Sequence, residues 1–198
     1  MKKACEDTRA FYIAEGAFAM MHAMMKDISL AMKHVQNDGL GDYPDRRSAS
    51  LHFTRVCIYG MNDVGRQFLE FIRPYRAEIY AYDPAVKDMP EGVTKVDSLE
   101  ELFATAQILV IAADLCEETK GSVTAELLAK LIDGAIIVHP GSELIIDMNA
   151  LVKELESNRL RAALDAALDL SDEAYATIRS RRNVLLMGGL ASVDAWGN

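Results

Sequence analysis

Downstream of residue 55 the chain alternates short, largely apolar runs with longer stretches in which apolar residues recur at helical spacing. The short runs occupy residues 56–59, 78–82, 108–112, 135–138, 161–164 and 184–186, and their length predicts strands. Val64, Phe68, Leu69, Phe71 and Ile72 fall on one face of a helix that opens near Gly65 and stops at Pro74. Further helices are expected over residues 99–104, with Ser98 as N-cap, and over 124–131 and 147–156. Residues 84–92 read as a loop. Strands without polar alternation, separated by helices, predict a parallel sheet covered on both faces, an α/β doubly wound architecture.

The N-terminal part has a different pattern. A single long helix is expected from Phe11 through Val35, with Asp7 or Thr8 as its N-cap. Ala17, Phe18, Met20, Met21, Ala23, Met24 and Met25 make it apolar on nearly every side, whereas a surface helix would carry one stripe. Such a helix is either a core element or one shared with a second subunit. The second option predicts a homodimer, since Phe18 and the four methionines do not fit on one face. Residues 36–50 are polar, contain Gly39, Gly41 and Pro44, and read as a connecting loop. The expected division is therefore residues 1–50 as helix and connector, and 51–198 as the main domain.

The turn after the first strand reads Gly60-Met61-Asn62-Asp63-Val64-Gly65. Strand, glycine turn, helix, second strand and then Asp83 is the order of a dinucleotide-binding βαβ unit, hence a Rossmann-type sheet. Gly60 would allow the tight turn, Gly65 close helix–strand packing, and Asp83 hydrogen bonds to a ribose. The helix start would offer N–H groups to a pyrophosphate. Asn62 stands where a missing Cβ would admit the phosphates, and Asp63 puts a negative charge at the same place. Two readings follow: a cofactor site, or a unit that has kept the fold and lost its ligand.

Charge and cysteine content narrow the partners. With 30 acidic against 21 basic residues the formal net charge is −9, which argues against nucleic acid or an anionic membrane. Cys5, Cys57 and Cys116 show no paired spacing and predict reduced thiols in a cytoplasmic protein. The opening residues are not expected to form a leader, since Lys2 and Lys3 are followed by Glu6 and Asp7, and the apolar stretch 16–25 is too short to span a bilayer. No metal spacing and no nucleophile elbow is visible, and Arg179, Arg181 and Arg182 read as a solvated helix end.

Several segments, taken in order, resemble the NAD-binding domain of the D-isomer-specific 2-hydroxyacid dehydrogenases. Ile13-Ala14-Glu15 and the apolar helix are similar to the family's interdomain helix, which opens Val-Ala-Glu and forms much of its dimer interface. Ala81-Tyr82-Asp83-Pro84 resembles the end of its second strand, and Glu118-Thr119-Lys120-Gly121 its Pro-Glu-Thr-Arg-Gly segment. Residues 126–138 and 147–164 are similar to its later helix–strand units. Asp165 matches the aspartate that contacts the nicotinamide carboxamide. The resemblance implies NAD as cofactor, with Gly60, Asn62, Asp63, Val64, Gly65, Asp83, Thr119 and Asp165 as its contacts.

The family's chemistry is not carried over with them. Its substrate-gripping arginine is replaced by Ser142 in Pro140-Gly141-Ser142-Glu143, and its histidine by Gly189 in Met187-Gly188-Gly189-Leu190. A serine cannot pair bidentately with a carboxylate. The accompanying acid falls near Leu170, flanked by Asp169 and Asp172, and the nearby His139 reads as a hydrogen-bonded loop residue rather than a base. Family members flank this domain with a substrate domain, which is expected to be absent here. Three functions remain: an NAD-binding domain not catalytically competent alone, an oxidoreductase completed by a separate substrate-domain chain, or an interaction module without nucleotide. No catalytic and no metal-binding residue is assigned.

Overall fold

The computed structural model describes residues 2–38, 48–165, 172–179 and 181–187. Seven parallel strands form one sheet: β1 (Arg55–Tyr59), β2 (Glu78–Tyr82), β3 (Val93–Lys95), β4 (Ile108–Ile111), β5 (Ile136–His139), β6 (Arg161–Leu164) and β7 (Val184–Leu186). Their order in the sheet is β3-β2-β1-β4-β5-β6-β7. Val56 of β1 sits between Ile79 and Ile108, so the chain reverses its direction of travel across the sheet between β1 and β4. The six expected strands are all present, within a residue at either end. The strand β3 was not expected: it is a three-residue edge strand, largely exposed, with no apolar run to announce it.

Helices cover both faces. On one side α4 (Leu99–Thr105), α5 (Ala125–Lys130), α6 (Met148–Glu156) and α7 (Asp172–Arg179) enclose a core around Leu102, Phe103, Leu109, Ile137 and Leu151. Ser98, Thr124 and Asp147 cap the first three of these helices by accepting from Glu101 N, Leu127 N and Ala150 N. On the other side lie α3 (Asp63–Ile72) and the N-terminal α1 (Lys2–Met25), over a core that includes Ile58, Phe68, Val110 and Val138.

The N-terminal segment departs from expectation in two ways. It is two helices, α1 and α2 (Ile28–Asp38), separated by a turn at Lys26 and Asp27, and α1 already begins at Lys2, upstream of the expected caps. Asp27 takes a positive φ of 49°. Its carbonyl accepts from Ala31 N at 2.9 Å to start α2, and its carboxylate pairs with Arg161 of β6. The same guanidinium donates to Met24 O at the end of α1. Both charged side chains are buried, so the break is held by a charge pair inside the protein.

The methionines also behave differently. Met20, Met21, Met24 and Met25 are 1%, 0%, 2% and 0% exposed within a single chain. Because α1 lies in the angle between α3 and strands β5 to β7, it is covered on more than one side without a partner. Phe18 is half-buried against Phe71, His22 and Tyr75. The argument that these side chains demand a second subunit therefore fails. Of the connector expected over 36–50, residues 36–38 instead end α2, and 39–47 lie outside the described residues.

Removing one member of a buried pair strands the other charge. Asp27→Ala is expected to cost about 3–5 kcal/mol in urea unfolding, the range for breaking a buried pair. A loss under about 1 kcal/mol, typical of an exposed pair, would show that Arg161 is satisfied elsewhere.

Candidate dinucleotide site

At the switch between β1 and β4 the backbone turns too tightly for any side chain. Gly60 has φ +93°, and a Cβ there would stand 2.5 Å from both the Cα and the N of Ala113. A Cβ on Gly65 would come within 2.2 Å of Gly60 O, so α3 rests directly on the end of β1. Both glycines do what their spacing implied.

Asn62 has a structural role besides its place in the turn. Its backbone is extended, with φ −72° and ψ −169°, a conformation open to any residue. Its Oδ1 accepts from Gly65 N at 3.0 Å, capping α3, and its Nδ2 donates to Ala112 O at 2.7 Å. The side chain thus staples the helix start to the end of β4. Asp63 is exposed in the first turn of α3, and Val64 is half-buried beside it.

Asp83 closes the turn from the neighbouring strand. Its Oδ2 accepts from Met61 N at 2.8 Å and its Oδ1 from Ala85 N at 2.9 Å. Each carboxylate oxygen retains a further lone pair for a ligand hydroxyl. Thr119 lies in the loop after β4, where its hydroxyl donates to Asp114 O at 2.6 Å and accepts from Cys116 N at 2.8 Å. Asp165 is buried at the end of β6, its N–H donating to His139 O.

The positions read as chemically empty are also structural. His139 is the buried last residue of β5, not a loop residue, with Nδ1 3.2 Å from Ile111 O and Nε2 2.8 Å from Ser142 O. Ser142 turns its hydroxyl back to cap the following 3-10 turn, accepting from Leu144 N. Gly189, Leu170 and Asp169 lie outside the described residues. Among the described residues no group of three His, Cys, Asp or Glu could hold a metal ion. No helix among them is long and apolar enough to cross a membrane.

What sequence reasoning missed is a cavity of about 330 Å³ between the first turn of α3 and the outer half of α1. Arg9, Ala10 and Ile13 form its α1 wall, with Asp114 beside Asn62 and Asp63 opposite. The only signal was the position of Arg9, one turn ahead of Ile13-Ala14-Glu15.

Residues 18–188 match the model of the D-isomer specific 2-hydroxyacid dehydrogenase, NAD binding domain. The chain belongs to this family. Among its curated relatives, hydroxypyruvate reductase of Thermotoga maritima is 27% identical over 93% of this chain and 59% of its own length. D-2-hydroxyacid dehydrogenase (NAD(+)) of Clostridioides difficile is 28% identical over 86% of this chain and 51% of its own. The NAD-binding domain described here thus spans under two thirds of either relative. A D-lactate dehydrogenase from Aquifex aeolicus, solved with NAD and lactic acid, shares the fold at a TM-score of 0.86 and 17% identity, over 93% of this chain and 60% of that one.

Burial pushes the His139 imidazole below its ordinary 6.5, outweighing the carbonyls of Ser142 and Ile111, which favour the protonated form. The unfolded chain then binds this proton more readily than the folded one, so stability rises with pH. The contribution is fully present above pH 6.5, the unperturbed value, and is lost as pH falls from there towards the folded pKa. His139→Gln is expected to flatten the acid side of a melting-temperature profile below that pH. Identical slopes in the two proteins would remove His139 as the cause.

Proposed function

We propose that this domain binds NAD across the carboxyl ends of β1 and β4 and does not oxidise a 2-hydroxy acid by itself. The observation that carries the reading is the Gly60–Gly65 cradle, which any Cβ would fill, with Asp83 beside it on β2. Bound NAD would supply a hydride acceptor at its nicotinamide. In this reading Gly60, Asn62, Asp63, Val64 and Gly65 form the turn under the pyrophosphate, and Asp83 accepts from the adenosine ribose. Thr119 shapes the loop bordering the cofactor, and Asp165 lies on the carboxamide side. Residues 51–198 make up the dinucleotide-binding domain, with 1–50 as its packed N-terminal extension.

The lack of turnover follows from the same geometry. Ser142 offers no fork for a carboxylate, and both nitrogens of His139 face backbone carbonyls rather than open space. The relatives are longer than the matched region, so a substrate domain, in the same or a separate chain, would bring the missing groups. Among the described residues Cys57 is a buried and Cys116 an exposed free thiol, which supports a reducing, cytoplasmic setting.

Asp83 would welcome a free ribose 2′-hydroxyl and repel a 2′-phosphate. In a thermal-shift titration NAD and NADH are therefore expected to raise the melting temperature more than NADP and NADPH. The reverse order would overturn the assignment of Asp83, and steady oxidation of lactate or glycerate by this chain would overturn the inactive reading.

Homodimerisation through the 11–35 segment also stays a proposal, now on a different patch. Ile28, Met32 and Val35 are 45%, 57% and 47% exposed along one side of α2. Sedimentation at micromolar concentration is expected to show a dimer that Met32→Glu dissociates, whereas a monomeric wild type would dismiss it. Met21 and Met24 are unsuitable for that test, being core residues.

A further inference from the structure

We propose that Arg9, on α1, is the side-chain cation that holds the diphosphate of the bound dinucleotide, a role that rests on the cofactor reading above. A helix start binds anions through unpaired N–H groups and its dipole. Here that supply is reduced. Met61 N already donates to Asp83 and Gly65 N to Asn62. Asp63 adds a negative charge in the first turn, and Asp114 a second one across the cavity. A diphosphate entering this space would meet two carboxylates and a partly satisfied turn.

Arg9 is the countercharge in the same cavity. Its wall on α1 faces Asn62 and the first turn of α3 at Asp63 and Val64, and among the described residues it is the one cation lining the space. Its side chain is exposed, with no hydrogen bond or ion pair to the other described residues. A guanidinium in that position can reach two phosphate oxygens at once and offset the field of Asp63. Binding would then draw the outer half of α1 and the start of α3 onto one ligand. The N-terminal extension becomes part of the cofactor site instead of a cover for the sheet.

Calorimetric titration of NAD into the whole chain tests this, with wild type and Arg9→Gln at low and high salt. Loss of a charge-assisted contact is expected to weaken NAD binding roughly tenfold or more. The salt dependence of the affinity should become shallower in the variant. Melting temperatures without NAD should agree, since Arg9 is exposed. Arg9→Lys, which keeps the charge, should bind closer to the wild type than Arg9→Gln does. If Arg9→Gln binds NAD as tightly as wild type, with the same salt dependence, the role of Arg9 is wrong and the cofactor reading stands. If the wild type binds no NAD, the cofactor reading itself falls, and Arg9 with it.

Discussion

The contact on which the site depends is the approach of α3 to the end of β1. Gly65 touches the carbonyl of Gly60 so closely that one methyl group would force the two apart. Everything near the switch point is arranged around that contact. Asn62 fastens the helix start to β4, Asp83 fastens the turn to β2, and Gly60 N donates to Tyr82 O to continue the ladder. Three strands and a helix are thereby held to one six-residue turn. A dinucleotide site needs that rigidity, because a pyrophosphate is recognised by backbone groups at fixed positions.

The second constraint is the burial of α1. A helix that fits between α3 and the β5–β7 side of the sheet removes several methionine side chains from water, each worth on the order of 1.5–3 kcal/mol. That placement also carries Arg9 and Ile13 to the open edge of the cofactor turn. One packing interaction thus serves the core at one end of the helix and the candidate site at the other.

Two polar residues beside the switch point are tied into the fold by local hydrogen bonds. His139 bridges the ends of β4 and the 3-10 turn, and Ser142 caps that turn. These contacts are local, at the carboxyl ends of β4 and β5, and a neutral imidazole donates to one of the two carbonyls. The glycine turn shapes a cradle at the switch point, and beside it His139 and Ser142 make contacts within the fold.

The sequence by itself determined the sheet-forming runs, the helix cap at Ser98, and the two glycines of the turn. These depend on neighbours a few residues away: apolar spacing, a side-chain acceptor, a missing Cβ. It could not reveal β3, whose short exposed strand is made by pairing with β2. Nor could it reveal the break at Asp27, which exists because Arg161 is buried on β6 and requires an opposite charge there. The stapling by Asn62 was hidden for the same reason, since its amide donates to Ala112 O, just past the end of β4. Arg9 is the clearest case. Along the chain it is one cation on an apolar helix, and it gains meaning only when packing sets α1 against α3, since charge acts through distance in space and not through separation in sequence.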